Sequence, residues 1–168
     1  AKFVIRQHGG GYRFFGPMVT ENHELEICNK YFSWGWTRKD QQKIIPMACG
    51  ELLSTEYNIK SDPKGTILWV ANSWPLYFMR IDYVISGSHG SKYYSRQELF
   101  LNDTLPEVSK ILLMRLNPYD YGWSLKERLT DIYPSLKLYR GTDSMLSQLR
   151  KSRLCIHDYF GTTYLETL

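Results

Sequence analysis

Between residues 66 and 158 the chain alternates short apolar runs with helical patterns, and this alternation constrains the fold more than any other feature. Strands are predicted at 66–71, 111–116, 136–139 and 153–158. Helices are predicted at 96–101, 125–132 and 144–151. Strands that alternate with helices form βαβ crossovers, and continuous apolar strands are typical of a parallel sheet buried on both faces. The sequence therefore predicts an α/β fold, a parallel sheet with flanking helices.

The first 60 residues carry a similar pattern on a smaller scale. A buried strand is predicted at 2–7, a helix at 20–28, and further strands at 31–36 and 44–46. Turn-forming residues are concentrated at 61–65, which makes this segment the best candidate for a domain boundary. The pattern changes after it, so we predict two structural parts.

Charge and cysteine content exclude several classes of protein. The 21 basic and 17 acidic residues give a net charge of +4, which is too mild and too dispersed for a nucleic-acid-binding protein. Three widely spaced cysteines without Cys-x-x-Cys spacing indicate neither a zinc site nor a disulfide framework, which fits a reducing, cytoplasmic setting. No segment approaches the about 20 apolar residues of a membrane-spanning helix. The chain begins in a predicted strand and ends within a predicted helix, so we expect a piece of a longer protein.

His8 follows the first predicted strand and opens a loop with three glycines, Gly9–Gly11. An imidazole in this position can act as a general base or contact an anion, and glycines let a substrate approach the backbone closely. The alternative is a turn that needs positive φ, with His8 as its polar edge. The loop matches neither a dinucleotide-binding nor a Walker motif, because the required helix or Gly-Lys-Ser/Thr does not follow.

Two arginines lie at or just after the carboxyl ends of predicted strands, where open α/β sheets bind ligands. Arg115 can pair with a buried acid or bind a phosphate through two N–H groups, and the sequence leaves both interpretations open. Arg140 repeats the arrangement after the next strand. Lys126 and Arg128 are instead expected on a solvated helix face.

The chain closes on a hydroxyl-rich turn into a predicted helix. Thr163 and Glu166 fit a capping box, in which the threonine caps the helix and the glutamate reaches back. A functional interpretation is compatible with it: Thr162 and Thr163 hold a phosphate at the helix N-terminus, and Glu166 accepts hydrogen bonds from a ribose.

Other local signals are weaker. Ser124 is predicted to cap the helix at 125–132, with Glu127 three residues further on. The acids and imidazole of residues 21–24 lack metal-ligand spacing and are expected as ordinary partners of a helix start. His89 lies in a glycine- and serine-rich segment, 86–90, that is expected to be a solvated loop.

Several stretches occur in the order found in a family of bacterial transferases of surface-carbohydrate biosynthesis, and the chain resembles that family over most of its length. The family is related to capsule polysaccharide and CDP-glycerol glycerophosphotransferase enzymes. The stretches are residues 7–12, Glu24, residues 31–36, residues 115–123 and residues 157–166. Ser-Trp-Gly-Trp at 33–36 and Asp-Tyr-x-x-Thr-Thr-x-x-Glu at 158–166 are the most specific of them.

The resemblance implies a GT-B arrangement, in which two Rossmann-like domains face each other across a cleft. Residues 1–60 would be the end of the N-terminal, acceptor-side domain plus the interdomain linker. Residues 61–168 would be a nucleotide-donor-binding domain, incomplete at its C-terminus. The implied roles are a catalytic base for His8 and donor contacts for Arg115, Asn117, Thr162, Thr163 and Glu166, which Arg140 joins from its strand-end position.

One position departs from the related glycerophosphotransferases, which carry histidine where this chain has Asn117. An asparagine can hydrogen-bond but cannot carry charge, so the donor type stays open. The expected activity is transfer of a sugar or polyol-phosphate group from a nucleotide-activated donor to a glycan or lipid-linked acceptor. We expect no metal and no cofactor, because cations and a helix dipole can stabilise the leaving phosphate.

The expected location is the cytoplasm, with allowance for peripheral association at the inner face of the membrane. The alternative hypothesis is a non-catalytic α/β module that binds a nucleotide or a partner protein. Nucleic acid is not an expected partner in either case.

Overall fold

A computed structural model describes residues 1–13, 18–50, 53, 60–77 and 87–167. Their contacts divide the chain into two compact units, Ala1–Ile59 with Phe160–Leu168, and Lys60–Tyr159. The predicted α/β class with parallel sheets and flanking helices is confirmed, although the strands form two separate sheets. The assignment of residues 1–60 and 61–168 to an acceptor-side and a donor-side domain stays a prediction. By contacts, the last residues group with the first unit.

The first unit is built on a three-stranded parallel sheet of order β1-β2-β3. Its elements are β1 (Val4–Arg6), α1 (Val19–Ile27), β2 (Lys30–Trp34) and β3 (Ile44–Met47). Tyr31 of the central strand is fully buried and packs with Leu25 and Ile44. The prediction of a buried first strand is wrong, because β1 lies at the sheet edge and leaves Val4 exposed.

The second unit contains a four-stranded parallel sheet of order β6-β5-β4-β7. Its elements are β4 (Thr66–Val70), α2 (Gly87–Asn102), α3 (Pro106–Ser109), β5 (Leu112–Arg115), α4 (Leu125–Ile132), β6 (Lys137–Tyr139), α5 (Met145–Leu149) and β7 (Ser152–His157). Leu68, Leu112 and Met114 in the two central strands are fully buried. Burial of such strands on both faces explains their continuous apolar sequences.

The strand order of the second unit reverses at β4. The chain adds β5 and β6 on one side of β4, and then returns to place β7 on the other side. Open α/β sheets bind ligands beyond the carboxyl ends of their strands at such a switch point. Residues that follow β4 and β7 therefore occupy the position where this architecture favours a ligand.

Helix α2 is much longer than the predicted segment 96–101, since it extends over Gly87–Asn102. The expectation of a loop around His89 is therefore wrong for the described part of segment 86–90, although His89 is exposed. Ser86 of that segment lies outside the described residues.

Aromatic packing explains why a glycine- and serine-rich sequence becomes helical here. A Cβ on Gly90 would lie 3.4 Å from ring atoms of both Trp123 and Trp74, which is van der Waals contact, so the helix packs directly on both rings. Trp74 also packs against Tyr93 and Tyr94 of the same helix. Tertiary contacts thus outweigh the low helix propensity of these residues.

Helix α4 has the predicted bounds but a different cap. Ser124 has a positive φ of 46° and makes no capping hydrogen bond, so the predicted cap of Ser124 with Glu127 is wrong. Asp120 performs this role instead: its carboxylate accepts the N–H groups of Gly122, Ser124 and Leu125 at 2.9–3.0 Å. A side chain five residues before the first helical residue therefore satisfies donors that would otherwise lack partners.

Replacement of Asp120 by alanine should destabilise the protein by about 1 kcal/mol, the usual value of a helix cap. Burial opposes ionisation of Asp120, but hydrogen bonds from Ser124, Leu125 and Gly122, with the charge of Arg140, outweigh it and lower its pKa. Its contribution is therefore present above the unfolded pKa of about 3.9 and disappears as pH falls through the lower folded pKa. Urea unfolding of Asp120→Ala at neutral and acidic pH measures this difference.

Asp131→Ala is the matched control, because Asp131 is exposed on the same helix and does not cap it. Equal stability of Asp120→Ala and Asp131→Ala at neutral pH would contradict the capping role.

The short helix α6 (Thr162–Leu165) packs directly on the loop that follows β1. The N–H group of Gly10 donates to Oγ1 of Thr162 at 3.2 Å. A Cβ on Gly10 would lie 2.7 Å from the carbonyl carbon of Gly161 and 2.8 Å from the amide nitrogen of Thr162. These are backbone atoms, so only glycine allows the two segments to meet.

Gly10→Ala should therefore separate α6 from this loop and destabilise the first unit by about 1–3 kcal/mol, the cost of overpacking. Faster hydrogen exchange at the amides of Leu165 and Glu166 is the expected signature, because both donate within this helical turn. Gly9→Ala is the control, since a Cβ there would meet only the ring of Tyr12 at 3.8 Å. Unchanged exchange in Gly10→Ala would show that the close approach is not required.

Candidate functional site

The loop after β1 holds His8 in a hydrogen-bonded cluster with Tyr12 and Glu24. Nε2 of His8 lies 3.0 Å from Oε1 of Glu24 and 2.6 Å from the Tyr12 hydroxyl. That hydroxyl also lies 3.0 Å from both carboxylate oxygens of Glu24. The side chain of His8 is 68% exposed and that of Glu24 is 17% exposed, so an accessible imidazole contacts a largely buried carboxylate.

The geometry of the cluster determines which nitrogen of His8 carries the proton. A lone pair on Nε2 would face the carboxylate oxygen of Glu24 at 3.0 Å, which is repulsive. Nε2 is therefore the N–H donor, and the Tyr12 hydroxyl donates to Glu24. The lone pair then lies on Nδ1, for which no hydrogen-bond partner occurs in the described part of the chain. His8 can accept a proton at this position.

Two buried tyrosines shield the carboxylate of Glu24. Burial, together with the hydrogen bond and charge of Glu24, raises the pKa of Tyr12 well above its ordinary value. Burial raises the pKa of Tyr31 as well, and the neighbouring Tyr12 and Glu24 add to this effect. Both hydroxyls therefore keep their protons at physiological pH, and both donate hydrogen bonds to the carboxylate of Glu24. The hydroxyl of Tyr12 does so at 3.0 Å and that of Tyr31 at 3.5 Å.

Gln7 anchors the start of the loop, a role that no motif in the sequence indicates. Its side chain is buried; Oε1 accepts the backbone N–H of Trp34 at 2.9 Å and the indole N–H of Trp36 at 2.7 Å. Its Nε2 donates to the carbonyl of Gly9 at 2.8 Å. The Ser-Trp-Gly-Trp segment thus contacts the loop of His8 through one amide side chain.

Helix α1 supplies both acids of the 21–24 segment to the interior. Glu21 is buried and accepts the backbone N–H of Arg13 at 3.0 Å, while Glu24 joins the cluster of His8. The two carboxylates therefore have separate structural partners. Among the residues that the structure describes, no group of three or more His, Cys, Asp or Glu side chains is arranged to hold a metal.

The predicted capping box of Thr163 with Glu166 is wrong in its cap, because Gly161 occupies the N-cap of α6. Thr162 is the first residue of the helix and accepts a hydrogen bond from the loop of His8 through Gly10. All three proposed donor contacts in this segment belong to the first unit, together with His8.

In the second unit, Arg115 ends strand β5. Its Nη2 donates to the carbonyl of Asp143 at 2.7 Å, and its guanidinium lies 5.5 Å from the ring centroid of Tyr139. It forms no salt bridge with a carboxylate of the described residues, and its buried Nη1 has no hydrogen-bond partner among them. The buried ion pair considered for Arg115 is thus not found in this part of the chain.

Asn117 and Arg140 line one small cleft at the carboxyl edge of the same sheet. Oδ1 of Asn117 accepts the N–H of Tyr119 at 2.9 Å, and Nε of Arg140 donates to the carbonyl of Pro118 at 2.9 Å. Lys126, exposed as predicted, also lines this cleft. Asn117 and Arg140 therefore lie together, as expected for residues at adjacent strand ends.

A further group at this edge surrounds Asp158, which immediately follows β7. Its carboxylate accepts hydrogen bonds from four groups, which are Nε1 of Trp69 at 3.2 Å, the N–H of Asn72 at 3.3 Å, the hydroxyl of Tyr93 at 2.6 Å and Nε2 of Gln97 at 3.0 Å. Burial raises the pKa of Asp158, and these hydrogen bonds oppose that effect. The sequence placed Asp158 at a strand end but gave no sign of its partners.

No helix in the described part of the chain is long and apolar enough to cross a membrane. No curated protein matches the chain. No solved structure matches it either. A family model does: the one for the LIC12162 family transferase matches residues 1–168, the whole chain. The predicted membership of a transferase family is therefore confirmed, and the chain belongs to the LIC12162 family of transferases.

Proposed function

We propose that the protein transfers a sugar or polyol-phosphate group from a nucleotide-activated donor to a surface-glycan acceptor, with His8 as the general base. The orientation of His8 carries this proposal: Glu24 and Tyr12 hold Nε2, and Nδ1 remains for a substrate. Membership of a transferase family supports the reaction class. The GT-B arrangement and kinship with capsule polysaccharide enzymes belong to the same proposal.

The chemistry requires a proton acceptor beside the acceptor hydroxyl. As its oxygen attacks the carbon or phosphorus of the transferred group, the bond to the nucleotide phosphate breaks, and the phosphate leaves with the electron pair. Nδ1 of His8 takes the hydroxyl proton. The carboxylate of Glu24 then faces an imidazolium at 3.0 Å, an arrangement that orients the ring and stabilises its charge.

The leaving phosphate requires positive charge or N–H donors. In the second unit, Arg115 offers a buried Nη1 without a partner among the described residues, and Arg140 shares its cleft with Asn117. In the first unit, Thr162 is the proposed donor contact that touches the loop of His8. Thr163 and Glu166, which follow it in the same turn, are proposed as further donor contacts.

The proposed acceptor is a glycan or a lipid-linked glycan, and peripheral association with a membrane surface is part of this proposal. Isothermal titration of the protein with nucleoside diphosphates tests the donor. Heat of binding with at least one of them is expected, and no binding by any of them would refute a nucleotide-activated donor.

His8→Ala should lower kcat by about 100- to 10,000-fold, the usual contribution of a general base, and leave donor affinity nearly unchanged. Release of free nucleotide from a panel of nucleotide sugars and CDP-polyols measures the reaction. Added imidazole should restore part of the activity, because the lost group is a proton acceptor at an exposed position. His23→Ala is the control, since His23 is exposed on α1. Full activity of His8→Ala would favour the non-catalytic alternative.

Glu24→Gln should lower kcat by at least about tenfold while the donor KM stays the same, because the amide no longer fixes the imidazole or balances its charge. Glu26→Gln on the exposed face of α1 is the matched control. If Glu24→Gln retains the kcat of Glu26→Gln, the carboxylate has only a structural role.

A further inference from the structure

A pocket of about 220 Å³ lies in the second unit, lined by residues of α2, β4 and β7. Trp69 and Phe100 form an aromatic wall, with their rings edge to face at a centroid distance of 4.8 Å. Ile156 adds an aliphatic surface. The ring of Phe100 is exposed although it borders a cavity, so a flat ligand can reach it. The volume is below the about 300–1,000 Å³ of sites for drug-sized ligands and suits a single ring system.

The polar side of the pocket is formed by Gln97 and Asp158, which are hydrogen-bonded to each other. Gln97 is only 3% exposed, and its Nε2 donates to Asp158 at 3.0 Å. Its Oε1 is buried and has no hydrogen-bond partner among the described residues. The amide cannot turn around, because its oxygen would then face the carboxylate of Asp158. Because this oxygen is buried, a ligand in the pocket does not reach it, and Gln97 acts as part of the pocket wall.

Asp158 itself is not the acceptor that a ligand would use, because four protein groups already donate to its carboxylate. Its effect is to fix Gln97. Its position is also informative: Asp158 follows β7 and accepts the N–H of Asn72, which lies shortly after β4. The pocket therefore adjoins the switch point between β4 and β7, where open α/β sheets bind ligands.

A cation lies at the rim. Arg96 lines the pocket, is exposed, and forms no hydrogen bond or salt bridge within the described ranges of the chain. An unpaired guanidinium beside an aromatic pocket favours a ligand that combines a flat ring with an anionic group.

We propose that this pocket binds the base of a nucleotide. The flat ring contacts Phe100 and Ile156, and the phosphates extend toward Arg96. This assignment rests on the proposed nucleotide-activated donor and adds the place where its base is held. The pocket is too small for the whole donor, so the transferred group lies outside it.

The experiment uses the full chain and follows the indole N–H of Trp69 in ¹H–¹⁵N spectra, assigned with Trp69→Phe. Nucleosides and nucleoside diphosphates of the four common bases are the probes. We expect at least one pair to shift this signal, with the diphosphate bound about tenfold more tightly than its nucleoside.

Two exposed positions give variants that should fold normally. Phe100→Ala should weaken both nucleoside and diphosphate by about 5- to 100-fold, through loss of stacking. Arg96→Gln should weaken the diphosphate about tenfold and leave the nucleoside unchanged. Leu99→Ala and Lys92→Gln are matched controls, since both residues are exposed on α2 and neither lines the pocket.

The outcomes separate this inference from the proposed function. Nucleotide binding that leaves Trp69 unshifted and is insensitive to Phe100→Ala and Arg96→Gln would overturn the pocket assignment but keep the donor. The absence of any nucleotide binding would overturn both. If Arg96→Gln weakens the binding of nucleoside and diphosphate by the same factor, the placement of the phosphates at Arg96 is wrong.

Discussion

A carboxylate that is removed from water needs hydrogen-bond donors around it. Each unit contains one carboxylate that several donors surround. In the first unit, Glu24 accepts hydrogen bonds from the imidazole of His8 and the hydroxyls of Tyr12 and Tyr31. In the second unit, Asp158 accepts hydrogen bonds from four groups, which lie in β4, in the segment that follows β4, and in α2. Because these donors come from separate segments, each carboxylate fixes its neighbours in one arrangement, and the candidate functional groups are among those neighbours.

The strands and helices were predictable where the signal is local. The predicted bounds of β4 to β7 agree with the structure to within one or two residues, since a buried parallel strand is apolar over its whole length. The bounds of α2 and the cap of α4 were not predictable. Gly90 is helical because of contacts with Trp74 and Trp123. Asp120 caps α4 although it does not occupy the N-cap position from which a capping box is recognised.

The candidate site was predictable only in part, for the same physical reason. His8 was identified from its place at a strand end, and Asn117 and Arg140 from theirs, because carboxyl ends of parallel strands share one edge. Their partners were not identified. Glu24 was considered with its sequence neighbours, whereas its contacts are made with residues 12 and 16 positions earlier. Gln97 and Asp158 are 61 positions apart.

The loop of His8 shows how a glycine-rich segment becomes a defined site. Glycines increase the conformational freedom that folding must remove, so such a loop needs contacts that restrain it. Gln7 holds the carbonyl of Gly9, α6 meets Gly10 at a distance that only glycine allows, and Glu24 holds the imidazole. These contacts restrain the loop before a substrate binds, and Nδ1 of His8 has no hydrogen-bond partner in the described residues. A general base held in this way, the role proposed for His8, would need little further ordering at the moment of reaction.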